Sequence, residues 1–253
     1  MNPRWPIAAA VAAVMLLISA SAVLAQDPKG WKTELDPYTW LAGMEGDATV
    51  DGQKAEFDKS FSDLVELVEF GAGLLGTVRH GRYVTFAQLD FMDLSTDALD
   101  VQDRPEGGKL DTSMFIHEVG GGYRINGWKE GQTIDVMIGL RGMHLESDLE
   151  VYGQGKHSSE ADIVDPMIVV RPSVPIFPSR IDGLRFTGTL AIGGGGDSDL
   201  IYELQPQLRY QFHEHVSARL GYRRIGWKFE ADGNDDELNM SLNGLVLGFG
   251  VTF

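Results

Sequence analysis

Residues 201–212 read Ile-Tyr-Glu-Leu-Gln-Pro-Gln-Leu-Arg-Tyr-Gln-Phe, so apolar and polar side chains alternate along this stretch. The even-numbered residues from Tyr202 to Phe212 are apolar or aromatic, with Pro206 among them, and only Ile201 interrupts the polar face. Successive side chains of a β-strand point to opposite faces, so this period of two predicts a strand and does not fit a helix. The same alternation occurs in residues 134–141, 184–192, 215–222 and 245–252.

The N-terminus has the pattern of a secretory signal. Arg4 precedes an apolar or small run from Ile7 to Val23, and small residues then stand at Val23 and Ala25. We expect residues 1–25 to be a signal peptide that is cleaved after Ala25, and residues 26–253 to form one domain. The alternative is a membrane-spanning helix. A short, alanine-rich run followed by an acidic segment fits it less well.

Composition excludes several classes of protein. The chain contains no cysteine, which excludes a lipoprotein and disulfide bonds. Removal of residues 1–25 takes away one basic residue, Arg4, and leaves 20 basic and 37 acidic residues, a net charge of −17. Such an acidic chain would repel phosphates, so we expect no nucleic-acid partner.

The C-terminus supplies a second export signal. The chain ends at Phe253, in register with an apolar face formed by Leu245, Leu247, Phe249 and Val251. This ending resembles the signal that the bacterial barrel-assembly machinery recognises, so we expect that machinery to be a partner through Phe253. No second helical run is long enough to span a membrane, and closed strands also satisfy every backbone polar group in lipid. The two ends together predict a β-barrel in the outer membrane.

The predicted fold is all-β, a transmembrane antiparallel up-and-down barrel of about ten strands. Links between the strands alternate between short turns and longer polar loops, as expected for periplasmic turns and outward-facing loops. Eight strands result if one irregular hairpin is a loop, and twelve if the first loop contains strands. The predicted strands are 31–44, 69–80, 82–97, 110–126, 131–149, 159–177, 183–195, 199–213, 214–230 and 237–253.

Two local irregularities lead to further expectations. In the first outer loop, Phe57, Phe61, Leu64 and Val68 recur at helical spacing, and Ser60 with Asp63 resembles a capping box, so we expect a short helix. After Tyr222 the apolar parity shifts, which predicts a β-bulge near residues 223–224.

Charges of both signs fall on positions predicted to face the lumen. They either pair as the polar filling of a small barrel or line a narrow path for a solute, and their balanced signs favour the filling. Inward glycines at 120, 122, 139, 248 and 250 would leave some room. The charged positions are Asp90, Glu118, Arg124, Asp135, Arg141, Asp165, Arg171, Arg185, Glu203, Arg209, Arg219 and Arg223.

No motif rises to a catalytic, cofactor or metal site. His144, Glu146 and Ser147 near one strand end, with residues 157–160 in the next loop, contain the residue types of a Ser–His–acid triad, but sequence does not establish their geometry. The acidic stretch 232–237 begins like a calcium loop but lacks the required glycine and the bidentate acid. We therefore expect no enzyme activity and no cofactor.

Several segments resemble a widespread group of small, porin-like proteobacterial outer-membrane barrels, which are similar to the OmpA and OmpW type. They are residues 37–43 (Pro-Tyr-Thr-Trp-Leu-Ala-Gly), 46–50 (Gly-Asp-Ala-Thr-Val), 61–68, 165–169 (Asp-Pro-Met-Ile-Val) and 220–223 (Leu-Gly-Tyr-Arg). The sequence departs from the group at residues 69–73, where bulkier strand residues are expected. The resemblance covers most of the mature chain. It implies a small porin-like barrel and carries no established activity.

Two functions remain open from sequence. The first is a non-enzymatic integral barrel, either a structural or surface protein or a narrow pore for small solutes. The second is an outer-leaflet lipid-modifying enzyme similar to lipid A deacylases or acyltransferases. In both cases the expected partners include outer-membrane lipids and lipopolysaccharide.

The signal-peptide assignment makes a direct prediction. When the chain is expressed in a Gram-negative host, the protein from the outer membrane should begin at Gln26. N-terminal sequencing and intact mass measure this. A mature protein that retains residues 1–25 would contradict the assignment.

Overall fold

The computed structural model describes residues 30–50, 53–59, 68–96, 108–151, 155–230 and 237–253. Within these ranges the chain forms strands and no helix. The strands are β1 (Trp31–Val50), β2 (Gln53–Lys59), β3 (Val68–His80), β4 (Tyr83–Thr96), β5 (Gly108–Asn126), β6 (Thr133–Val151), β7 (Gly155–Pro175), β8 (Leu184–Gly193), β9 (Leu200–His213), β10 (Val216–Glu230) and β11 (Glu237–Thr252).

Ten of these strands close into one antiparallel barrel. From β3 to β11 each strand pairs with the next, β3 pairs with β1, and β11 pairs with β1 to close the wall. The closing register runs from Glu34 opposite Thr252 to Thr49 opposite Glu237. Because every strand of this ten-stranded wall is paired on both sides, the wall meets the condition for strands to exist in lipid. The predicted ten-stranded up-and-down barrel is confirmed.

The eleventh strand, β2, folds back on the far half of β1. It pairs with residues Met44–Val50, beyond the part of β1 that pairs with β3. The short helix expected in the first outer loop falls mostly on residues 60–67, which the structure does not describe, while the first and last of its apolar positions lie in strands. Phe57 lies in β2 and Val68 begins β3. Residues 53–59 form a strand because β1 extends past its predicted end at residue 44 and gives them an edge to pair with. Residues 1–25 of the expected signal peptide are also not among the residues that the structure describes.

The predicted bulge near Arg223 is wrong. β10 pairs with β11 without interruption from Val216 to Glu230, and its pairing with β9 keeps one register on both sides of Arg223. The irregularity in this strand lies between Val216 and Ser217. Ile225 and Trp227 therefore point inward like Arg223. The apolar residues change from even to odd positions here because the lumen-facing side chains of β10 change from polar, at Arg223, to apolar, at Ile225 and Trp227.

The outward face is apolar and exposed. Ile138 and Ile168 occupy opposite positions on β6 and β7 and are 73% and 53% exposed, which is the pattern of a surface that faces lipid. Aromatic side chains lie near the end of the barrel with the short turns, as in the girdles of membrane barrels: Tyr83, Tyr123, Trp128, Tyr210 and Phe212. Among the described residues, no helix is long and apolar enough to cross a membrane.

The lengths of the links define the two ends. Short turns at residues 81–82 and 214–215 mark what we call the periplasmic end, because outer-membrane barrels keep short turns in the periplasm. The opposite end, with the longer links, is the outer end. On β10 the inward side chains run from Ser217 near the periplasmic end to Trp227 near the outer end.

The closing seam contains a glycine with no space for a side chain. A Cβ on Gly244 would collide with the carbonyl oxygen of Leu41 on β1. We expect Gly244→Ala to push β11 away from β1 and reduce the yield of folded barrel severalfold. The measurement is the fraction of heat-modifiable, fast-migrating protein on gels after refolding.

Gly76→Ala is the matched control, because a Cβ there meets Leu35 and Ala87 only at ordinary contact distances of 3.5 and 3.8 Å. Equal refolding yields for the two variants would contradict the tight seam.

Candidate functional site: the interior of the barrel

The interior contains a central layer of buried charges, which we call the central ion network. It consists of Asp90, Glu118, Arg141, Glu203 and Arg223, each at most 3% exposed. These residues come from β4, β5, β6, β9 and β10, so side chains from around the wall meet at one level. All five were predicted to face the lumen, and the structure brings all five together.

Arg223 is the centre of this network. Its Nε lies 2.9 Å from Glu203 Oε1, and its Nη1 lies 2.9 Å from Asp90 Oδ2. Its Nη2 lies 3.2 Å from Glu118 Oε1. The guanidinium carbon also lies 4.7 Å from the ring centroid of Trp40, a cation–π contact. One arginine therefore binds three carboxylates and an aromatic ring, and its side chain is 0% exposed.

Arg141 binds two of the same carboxylates. Its Nη2 lies 3.0 Å from Glu118 Oε1 and also contacts Glu203. Tyr38, which was not predicted as a member, donates its hydroxyl to Asp90. Buried charges persist when each has partners, since an unpaired charge in a low-dielectric interior is costly. The shared carboxylates make this a single connected unit.

An apolar layer lies inside the lumen, next to the central ion network on the side of the outer end. On each strand that contributes to this layer, its members are the next one or two lumen-facing residues in the direction of the outer end. We call it the outer apolar plug, and its members are at most 2% exposed: Trp40, Ile116, Met143, Ile201, Ile225, Trp227 and Leu242. Small barrels fill their interiors with side chains in this way.

The inward glycines do not open a path. A Cβ on Gly120 would collide with the ring of Phe86, and one on Gly248 would collide with Tyr38. One on Gly122 would collide with the backbone and side chain of Met137. A Cβ on Gly139 would meet the backbone of Val119, and one on Gly250 would meet the side chains of Asp36 and Ser217. Neighbouring backbone or side chains thus fill the room that was expected at all five glycines.

The remaining arginines collect towards the periplasmic end. Arg124 forms two bonds with Asp135, of 2.6 and 2.7 Å. Arg79, Arg209 and Arg219 all contact Glu34 of β1. We call Arg79, Arg124, Arg171, Arg185, Arg209 and Arg219 the periplasmic arginine cluster.

Other predicted charges have local partners. Arg185 donates from Nε to Ser173 Oγ at 2.9 Å and from Nη2 to the Gly131 carbonyl at 2.6 Å. Asp165 accepts from Ser198 Oγ at 2.6 Å, near the outer end. Arg171 lies over the ring of Phe86, with 4.1 Å between the guanidinium carbon and the ring centroid.

Three inward charges were missed by sequence reasoning, namely Glu34, Asp36 and Arg79. The first two could have been found from the alternation of β1, because Glu34 and Asp36 lie on the same face of the strand as Tyr38 and Trp40.

The candidate triad does not assemble among the residues whose side chains the structure describes, which do not include His157. Both ring nitrogens of His144 face carboxylates, Nδ1 at 2.7 Å from Asp162 and Nε2 at 3.2 Å from Glu146. The Ser147 hydroxyl lies on the opposite face and contacts Thr112 at 3.2 Å.

His144, Asp162 and Glu160 offer ligand atoms within 4.8 Å of one another, which makes them the described residues best placed to hold a metal ion. Both of these carboxylates are solvent-exposed. Residues 232–236 of the acidic loop lie outside the description.

No protein-family model matches the chain, and a search of curated proteins found no match. The chain is similar, at low sequence identity, to several solved outer-membrane proteins. The translocator domain of autotransporter NalP from Neisseria meningitidis is 11% identical over 98% of this chain and 97% of that one, with a TM-score of 0.43. The attachment invasion locus protein Ail of Yersinia pestis is 12% identical over 89% and 100%, with a TM-score of 0.38. A major outer membrane protein of Thermus thermophilus is 12% identical over 88% and 99%, also with a TM-score of 0.38.

The role of Arg223 in holding the interior together can be tested by removing its charge. Arg223→Met leaves three buried carboxylates short of a partner, and we expect a loss of about 3–5 kcal/mol in the free energy of unfolding. Urea unfolding in lipid vesicles measures the change.

Arg224→Met is the matched control, because Arg224 is 40% exposed and lies 3.5 Å from an exposed carboxylate of Glu45. We expect less than about 1 kcal/mol there. Similar losses in the two variants would show that the network is not the stabilising element.

Proposed function

We propose that this outer-membrane barrel is non-enzymatic and closed, and that it serves as a structural or surface protein. The observation that supports this is the burial of the side chains in two successive layers across its lumen. Arg141 and Arg223 are at most 1% exposed in the central ion network. Trp40 and Trp227 of the outer apolar plug are at most 2% exposed. In the described part of the chain, these two filled layers leave no solvent-facing polar lining of the kind that a pore for small solutes needs.

The alternative of a lipid-modifying enzyme has less support. Such an enzyme needs a nucleophile and a base in contact near the outer leaflet. At the level of His144, carboxylates contact the imidazole in place of a hydroxyl.

The enzyme alternative is tested by mass spectrometry of lipid A from matched strains with and without the protein. We expect identical acylation patterns, and a change in acyl chain number that requires His144 would overturn the non-enzymatic assignment.

The proposed partners follow from the surface. The exposed apolar band favours outer-membrane lipids, with lipopolysaccharide in the outer leaflet. Phe253 is 44% exposed beside the last strand, so its ring is accessible to an assembly machinery that reads the C-terminus. Cleavage after Ala25 would deliver the chain to that machinery in the periplasm.

The closed lumen predicts low permeability. Proteoliposomes that contain the purified barrel should show no faster swelling in small sugars or amino acids than empty liposomes, and planar bilayers should show no steady channels in potassium chloride. The heat-modifiable band recovered from the same liposomes verifies insertion. Swelling that rises with the amount of folded protein would establish the narrow-pore alternative.

A further inference from the structure

The periplasmic arginine cluster forms a funnel that is open towards the periplasm. Exposure of its side chains falls from 24% at Arg124 and 21% at Arg79 to 13% at Arg209 and Arg219. One level further in, Arg223 is fully buried. A solute from the periplasm can therefore reach the first arginines, and the central ion network closes the funnel behind them.

Three members of the cluster lie side by side in the sheet. Arg209 of β9 is directly opposite Arg185 of β8 on one side and Arg219 of β10 on the other. Like charges at directly opposite positions destabilise a sheet. In a chain whose net charge is −16, such a row of arginines is not a consequence of a basic composition.

The carboxylates around the funnel do not balance its arginines. Glu34 contacts Arg79, Arg209 and Arg219, while Asp36 contacts Arg219. Asp135 is bound to Arg124. Among the described residues at this end, six arginines thus lie beside three carboxylates. Glu118 and Glu203 also attract Arg171, but they are already bound by Arg141 and Arg223.

Several buried donors in the funnel have no hydrogen-bond partner among the described residues. They include Nε and Nη2 of Arg171, and Nε of Arg79, Arg209 and Arg219. Ser217, which is 0% exposed, also has an unpartnered hydroxyl. The two carboxylate oxygens of Asp36 lack a hydrogen-bond partner as well, although Oδ2 lies 2.6 Å from Arg219 Nη2, so the unmet donors outnumber the unmet acceptors. Buried donors are nearly always satisfied in folded proteins, because each unmet one costs desolvation energy. Both the excess charge and the free donors are satisfied by the same kind of ligand, an anion with several oxygen acceptors.

We propose that the periplasmic arginine cluster is a binding site for a small oxyanion of the phosphate or sulfate class, which enters from the periplasm. Guanidinium groups offer planar pairs of N–H donors that match the oxygen spacing of such anions, and charge-assisted bonds of this kind are strong. The bound anion neutralises the row Arg185–Arg209–Arg219 and accepts from the free donors. The site lies on the periplasmic side of the central ion network, so it does not depend on whether the lumen conducts.

Isothermal titration calorimetry on the purified barrel in a non-ionic detergent tests the site. The probes are inorganic phosphate and sulfate, with sodium chloride used to hold ionic strength constant. We expect one saturable site for phosphate or sulfate. Arg171→Gln should weaken it about tenfold, as expected for loss of one charge-assisted hydrogen bond. Arg209→Gln, at the centre of the row, should weaken it further.

The matched control is Arg180→Gln, since Arg180 is an exposed arginine in the turn between β7 and β8. This variant removes the same charge at the same end of the barrel without touching the funnel, and its affinity should equal that of the wild type.

Arg171 makes no ion pair among the described residues, so Arg171→Gln keeps the test decisive if Arg209→Gln does not fold. Folding of each variant is verified by heat-modifiable migration. Absence of phosphate and sulfate binding beyond that of chloride would overturn the proposal. So would binding that Arg171→Gln leaves unchanged, or that Arg180→Gln weakens equally.

Discussion

The cost of an unpaired charge in a buried interior shapes the centre of this molecule. Arg223 avoids this cost by binding three carboxylates from three different strands, and Arg141 binds two of the same groups. Because these partners come from around the wall, the network ties opposite sides of the barrel together across the lumen. A buried ion pair contributes little net stability over apolar packing, but loss of one partner is very costly. The network therefore acts as a constraint on which side chains can occupy the centre.

The layers on either side of the network differ in character. Outward, Trp40, Ile225 and their neighbours exclude water, which strengthens the charge interactions beneath them by lowering the local dielectric. Towards the periplasm, arginines exceed carboxylates and become progressively exposed. Among the described residues, the lumen thus contains buried apolar side chains on its outer side and partly exposed arginines on its periplasmic side.

Much of the wall was predictable from sequence, because the alternation of side chains in a strand is a local property. Residues 201–212 show it almost completely, and the ten strands follow from such runs and from the link lengths. The bulge near Arg223 was predicted wrongly. The prediction assumed that apolar side chains face lipid, whereas Ile225 and Trp227 pack in the lumen. In the first loop, residues 53–59 form a strand because the extended β1 gives them an edge to pair with, and the helix expected after Ser60 lies outside the described residues.

Which lumen charges pair with each other could not be predicted from the sequence. Asp90 and Arg223, for example, are 133 residues apart and meet only because the barrel closes. The chain has no cysteine, so single cysteines placed in the lumen report its accessibility directly. With a small charged thiol reagent applied to the folded barrel in vesicles, Ile225→Cys in the outer apolar plug should remain unlabelled from both sides. Gln211→Cys, inward and near the periplasmic end, should be labelled from that end. Rapid labelling of Ile225→Cys from either side would contradict a lumen that is filled and closed.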